Sequence, residues 1–249
     1  MTITEQFIIG IDNTDGDGCV GTGALAMALA AEVESAGWAQ SIGVTRHQLF
    51  DSPKLSTDNG NYCYAVGIQT THSILDVEDE VVDFVRANAA KSADPGIAIM
   101  SRHSDMPHIL AFGRRAQTEL MRLDWAQTFA DEANVSLRAL GAKRDGVVGA
   151  LAAAGLRGGG TDGVFIHLPA IREIEGVLRA GEIRERTTVE TILDEEGEPL
   201  DRDDRVETNG YLRPRLEGGK PVIHTRVSPE DRHFWIVTDR RPRSEPEGD

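Results

Sequence analysis

After a polar start, residues 7–11 (FIIGI) form an unbroken apolar run, short enough for a buried strand and too short for a helix. Acids and glycines interrupt the hydrophobic pattern at 12–23, and the alanine-rich stretch 24–36 that follows predicts a helix. Residues 41–49 and 62–70 read as two further strands. The polar stretch between them, 51–61, is long for a hairpin and is therefore a binding-loop candidate. At 74–89 Ile74, Val77, Val81, Val82 and Val85 recur at helical spacing with acids opposite, and 96–100 returns to a continuous apolar strand.

Beyond a polar segment at 101–108 the pattern predicts a helix over 114–133 and a strand over 135–140. Asp145 is placed to cap a second alanine-rich helix that ends at the Gly158–Gly160 triplet. Downstream the pattern shortens. Strands are expected over 164–168, 187–192, 206–212, 222–227 and 234–238, with a helix over 171–179 and a charged, proline-containing tail from 240. Hairpin-like and crossover connections intermix, which predicts an α+β fold over a regularly wound parallel sheet.

With 249 residues the chain exceeds a typical single domain, and two domains are the simplest expectation. A boundary between Ala130 and Arg144 is the simplest choice, and an insertion of one domain into the other would look similar in sequence. The 40% hydrophobic but 5% aromatic content implies a core of alanine and aliphatic side chains. Forty-one acids against 26 bases leave a formal charge of −15, which disfavours a broad sequence-independent nucleic-acid surface. Two cysteines cannot build a four-cysteine zinc site. No stretch approaches the roughly 18 apolar residues of a membrane span, and the MTITEQF start lacks a basic signal-peptide region, so a cytoplasmic protein without membrane partners is expected.

The chemistry concentrates at 12–23. Asp12, Asp15 and Asp17 bring carboxylates together with Asn13 and the hydroxyls of Thr14 and Thr22, and Gly16, Gly18, Gly21 and Gly23 let backbone N–H groups approach a ligand. Hard oxygen ligands beside a helix start suit a magnesium-bound phosphate. Three familiar motifs fit poorly. The Gly16-x-Gly18-x-x-Gly21 spacing has four polar residues between strand and first glycine, where a dinucleotide fingerprint turns at once. Ala24 occupies the position at which a calcium loop needs its glutamate, and no Gly-Lys-Ser/Thr tripeptide exists for a Walker loop. The remaining alternative is that the acids only cap the next helix.

The GIDNTD segment, followed by Thr22 and a small-residue helix, resembles the opening of the archaeal tRNA 2-agmatinylcytidine synthetase family, whose text is close to GIDDTD…CTT. DPGIAIM at 94–100, FGRRAQTE at 112–119 and RDGVVGALAAAGL at 144–156 are similar to that family's NPG, RRAV and RG-IGALAAIG stretches, in the same order. The resemblance covers about the first 160 residues. It implies a kinase-like mixed-sheet ATP-binding domain over 1–135 and a ferredoxin-like α/β sandwich with further strands over 136–239, with 240–249 as tail. It also implies ATP-driven phosphorylation of a carbonyl or hydroxyl oxygen ahead of attack by an amine.

Carried over, Asp12 and Asp15 would hold magnesium and ATP phosphates, and Thr22 matches the family's phosphorylatable threonine. Asn13 stands where the family has a second aspartate, which removes a charge. Cofactor-binding candidates are Asn13, Thr14, Gly16, Gly18, Gly21, Arg46, Arg114, Arg115, Lys143 and Arg144, and substrate-binding candidates are His47, Asn59 and Asn61. The family's OB-fold and zinc ribbon have no counterpart in this sequence, so the acceptor, a small molecule or tRNA, is left open. Two other functions compete: a noncatalytic nucleotide-binding or regulatory protein, and a tRNA-modifying subunit that relies on a partner for RNA binding.

Overall fold

The computed structural model describes residues 4–16, 20–52 and 60–241. Asp17, Gly18 and Asn59 lie outside the described residues, as do 242–249. The first layer comprises β1 (Glu5–Asp12), α1 (Thr22–Ser35), β2 (Ala39–Gln48), β3 (Tyr62–Thr70), α2 (Ile74–Asn88) and β4 (Gly96–Ser101). It continues through α3 (Met106–Ala116), α4 (Leu123–Glu132), β5 (Ser136–Ala139), α5 (Val147–Gly159) and β6 (Val164–His167). Next come β7 (Val177–Arg179), α6 (Ala180–Arg186), β8 (Thr191–Leu193), β9 (Arg205–Glu207) and β10 (Tyr211–Leu212). The remaining strands are β11 (Arg215–Glu217), β12 (Lys220–Val227), β13 (Phe234–Val237) and β14 (Arg240–Arg241).

The fold is α+β. One sheet runs β5-β4-β1-β3-β2-β6-β11-β12-β13-β9-β7, with β8 beside β12. It is mixed: β12 pairs in parallel with β8 and β13 with β9, while the β5-to-β6 portion is antiparallel. Alternation in the long strands directs Phe7, Ile9 and Ile11 to one face, where Leu25, Leu29 and Val33 of α1 and Val77, Val81 and Val85 of α2 cover them. Each fully buried aliphatic side chain there contributes about 1.5–3 kcal/mol. The opposite face carries α3, α4 and α5, with Ile109, Phe112, Ala126, Ala130 and Leu151 in its core.

Helix α5 lies in the middle of that second face, buried on every side from Gly149 to Arg157, as its lack of an exposed polar stripe requires. Its seat is close. A Cβ at Gly10 of β1 would overlap the carbonyl oxygen of Ala150, so glycine in the strand and alanine in the helix together set the separation. A third core, around Phe165, Ile183, Ile192, Val206, Leu216 and Ile223, forms under the C-terminal strands.

Several expectations need correction. The helix expected over 114–133 is two helices, because the turn after Ala116 lets both the Phe112/Ala116 and the Ala126/Ala130 faces reach α5. Arg114 and Arg115 therefore close α3 instead of opening a helix. The helix expected over 171–179 is a 3₁₀ turn at 171–173 followed by β7, broken by Gly176 at φ 85°. Strand β11 has no counterpart in the expected pattern, the 206–212 strand is divided into β9 and β10, and Arg240–Arg241 pair with Tyr211–Leu212. Around position 135, β5 joins β4 and α5 covers β1, so these two elements pack with the layer that precedes them.

Replacing Gly10 with alanine is expected to lower unfolding stability by about 1–3 kcal/mol through overpacking against α5. Urea denaturation of the two proteins checks this, and equal midpoints would contradict the seating of α5 described above.

Candidate functional site

Strand β1 ends at Asp12, and the chain leaves the sheet through Asn13 in the left-handed region at φ 57°. Asparagine tolerates that conformation better than most residues. Thr14 is fully buried, and its carbonyl accepts from the Ala90 amide at 2.9 Å. Thr22, the first residue of α1, gathers the loop around its hydroxyl. It accepts from the Thr14 N–H and from the Thr14 hydroxyl, both at 3.2 Å, and donates to Asp15 Oδ1 at 3.2 Å. Gly21 precedes the helix in extended geometry, no side chain among the described residues caps it, and no acid lies in its first turn. The first turn of α1 therefore presents backbone donors and positive helix-dipole potential beside Asp15.

The other wall comes from the chain before α5. Asp94 Oδ2 accepts from the Lys143 amide at 2.6 Å and Oδ1 from the Arg144 amide at 2.8 Å. Its carbonyl accepts from the Gly146 amide at 3.1 Å and from Asn13 Nδ2 at 3.3 Å. An ionised aspartate at position 13 could not donate that last bond. Gly146, not Asp145, occupies the N-cap of α5, and no side chain among the described residues caps it. Asp12 packs onto the next turn, where a Cβ at Gly149 would overlap its carboxylate. Burial is the main reason the Asp12 carboxyl is pushed up to about 7. The Asn13 N–H opposes the rise and the Asp15 charge adds to it.

A second cluster lies at the same end of the sheet. His47 is fully buried, with Nδ1 2.8 Å from Asp162 Oδ2 and Nε2 2.8 Å from the Thr45 hydroxyl. Gln117 Nε2 donates to Asp162 Oδ1 at 2.9 Å, and Arg114 Nη2 donates to the Thr161 hydroxyl at 2.9 Å. Burial lowers the His47 pKa, and the Arg157 charge adds to this against the pull of Asp162. Neutral His47 therefore donates from Nδ1 to an ionised Asp162 and accepts from Thr45 at Nε2, a tautomer assigned from the network. Burial alone would raise Asp162, but the bonds from His47 and Gln117 and the nearby Arg114 charge hold it below the usual carboxylate range. Cys63, paired with His47 across β2 and β3, has its thiol pushed up by burial and then by the charges of Asp12 and Asp162.

The expected site residues therefore separate. Asp12, Asn13, Thr14, Asp15 and Thr22 come together, with Gly16 against Ala90 and Ser92. Arg46 and His47 do not share a role, since neighbours on a strand point to opposite faces. Arg46 stacks over Tyr62, 4.4 Å from the ring centroid, on the face where Tyr64 packs against Gly23 of α1. Arg115 pairs with Glu119 at 2.8 Å and lies over Trp125, away from the loop. Asn61 donates to the Phe50 carbonyl at 3.0 Å, a loop-closing contact. Lys143 and Arg144 have exposed side chains, but their amides are already held by Asp94.

Among the described residues no three of His, Cys, Asp or Glu converge as a metal-holding group. Asp12 and Asp15 offer a pair, close enough for the Asp15 charge to act on the Asp12 carboxyl. One or two carboxylates completed by phosphate oxygens and water are what magnesium takes in nucleotide sites, so the pair fits that ion. Sequence reasoning missed Asp94, Asp162, Gln117 and Gly149. Asp94 stood in view within the DPG segment, whereas Asp162 lies 115 positions from His47 and carried no signal.

Solved structures share this fold. A complex of TiaS with its isoleucine tRNA and ATP matches with a TM-score of 0.53 at 21% identity, over 61% of this chain and 36% of that one. A tRNA fluorescent labeling enzyme matches with 0.54 at 21% identity, over 60% and 36%. Apo TiaS, a tRNA agmatidine synthetase, matches with 0.50 at 21% identity, over 60% and 35%. The chain thus covers about a third of the length of these relatives. The shared fold fits the kinase-like plus ferredoxin-like arrangement. No family model matches the chain, and no curated protein matches it. Among the described residues no helix is long and apolar enough to cross a membrane.

The raised Asp12 pKa makes stability depend on pH. Between its ordinary value of 3.8 and about 7 the folded chain keeps a proton that the unfolded chain releases, so the Asp12 contribution falls as pH rises through that window. In metal-free buffer Asp12→Asn is expected to match the parent near pH 3.5 and to exceed it at pH 8 by up to roughly 4 kcal/mol. Urea denaturation at the two pH values measures the difference, and a variant less stable than the parent at pH 8 would contradict the burial of this carboxyl.

Proposed function

We propose that this chain is an ATP- and magnesium-dependent enzyme that transfers a phosphoryl group to an oxygen and so activates an acceptor for attack by an amine. The observation that carries the reading is the first turn of α1, which no side chain among the described residues caps, with Thr22 at its start and Asp15 on the Thr22 hydroxyl. Backbone donors aimed at developing phosphate charge act without reorganising, because the helix already fixes them. Asp12 and Asp15 would hold the ion. Magnesium, when bound with the nucleotide, supplies positive charge against the phosphate oxygens.

The 3.2 Å contact puts Asp15 within reach of the Thr22 proton. Thr22 Oγ1 is then able to bond to the terminal phosphorus of ATP as the bond from that phosphorus to the bridging oxygen breaks, ADP leaves and the Thr22 proton passes to Asp15. Its lone pairs face Thr14 meanwhile, so phosphorylation requires the Thr14 contacts to open. Arg46, held over Tyr62 on the α1 side of the sheet, would be a cation that meets phosphate charge there. The exposed side chains of Lys143 and Arg144 are the cations of the opposite wall. Support for RNA as acceptor comes from the tRNA enzymes that share the fold.

Incubation with magnesium-ATP and tRNA, followed by nucleotide chromatography and mass spectrometry of the protein, tests the proposal. ATP consumption and phosphate on Thr22 are expected. Asp12→Asn and Asp15→Asn should each lower turnover about 100-fold or more with unchanged circular dichroism, and Thr22→Ser should retain more activity than Thr22→Ala. Turnover that survives both aspartate substitutions would remove the catalytic assignment. ATP binding without turnover under any acceptor would favour the noncatalytic reading.

A further inference from the structure

The cations of the proposed nucleotide site, Lys143 and Arg144, are tied to the β1 loop through Asp94. Its carboxylate takes the amides of both residues, one oxygen to each, and its carbonyl takes the Gly146 amide and the Asn13 side chain. Asp94 is itself 8% exposed. Arg144 is held in the left-handed region at φ 64°, a conformation that a non-glycine residue adopts only when its surroundings determine it. Its guanidinium is steered sideways to Gln127 Oε1 at 3.0 Å. Gly141 lies so close that a Cβ there would overlap the Asp94 carboxyl carbon.

We propose that Asp94 is a positioning residue that presents Lys143 and Arg144 to the nucleotide. The proposal rests on the nucleotide reading above. Asp94 does not meet the ligand. Both of its oxygens are occupied by backbone donors, which fixes the loop backbone from which the two basic side chains leave. An asparagine has one acceptor oxygen and turns its amide donors toward the second N–H, so Asp94→Asn keeps one bond, loses the other and releases the loop.

The test is magnesium-ATP affinity of the full chain, by titration calorimetry, for the parent, Asp94→Asn, Lys143→Ala/Arg144→Ala and the combined triple variant. Asp94→Asn is expected to weaken binding about tenfold. The basic double variant should do the same, and the combination should be no worse than the double variant, because residues that act through one another are not additive. Gly141→Ala, which displaces the same carboxylate from the other side, should reproduce the Asp94→Asn loss. Circular dichroism and urea midpoints identify any variant that fails to fold, and Gly141→Ala then stands in for Asp94→Asn. Unchanged affinity in Asp94→Asn, or effects that multiply in the combined variant, overturns the positioning role. A parent that binds no magnesium-ATP overturns the nucleotide reading itself, a result distinguishable from the first two.

Discussion

The rest of this structure depends on how closely α5 approaches the strands beneath it. Gly10 allows the helix backbone to meet β1, and Gly149 leaves room for the Asp12 carboxylate one turn into the helix. A side chain at either position would push the helix outward and reopen water to Asp12. The close seat therefore joins packing to chemistry. It buries the alanine-rich core of the second face and holds a carboxyl near neutrality beside Asp15.

Two helix starts meet the β1 loop, and they are used differently. The approach to α5 is tied down by protein carboxylates, with Asp94 on the amides of 143 and 144 and Asp12 on the first turns. Both helices lack an acidic residue in the first turn and, among the described residues, a side-chain cap, so the difference lies in the Asp12 carboxylate packed against Gly149 of α5. The proposed phosphate contact uses the α1 start, where no protein carboxylate is packed against the first turn as Asp12 is at Gly149. The distinction separates two glycine-rich stretches that look alike in composition.

The His47 cluster shows a related economy on the same sheet face. A buried imidazole spans Thr45 and Asp162, and Asp162 in turn ties the end of α3 through Gln117. Cys63 stands between this cluster and Asp12, its thiol subject to both carboxylates. Arg157, at the far end of α5, lies over the Phe165 ring 4.5 Å from its centroid and donates to the Ile42 carbonyl. Burial lowers its pKa to about 10, still far above neutrality, so it remains a cation inside the fold.

Hydrophobic periodicity is a local property, and for that reason the elements of the first layer were legible in the chain itself: β1, β3, α2, β4 and α5 fall where their apolar patterns place them. The grouping of Asp12, Asp15 and Thr22 was legible too, since the short loop between them cannot carry them far apart. What lies opposite that loop was settled only by packing. The division of 114–133 into α3 and α4 follows from the need of both helices to reach α5, a demand no local pattern expresses. The partnership of His47 with Asp162, the anchoring of Lys143 and Arg144 by Asp94, and the separation of Arg46 from His47 depend on register and long-range contact. A side chain's type is written in the sequence, but its partner is chosen by which strand lies beside it and which face it leaves.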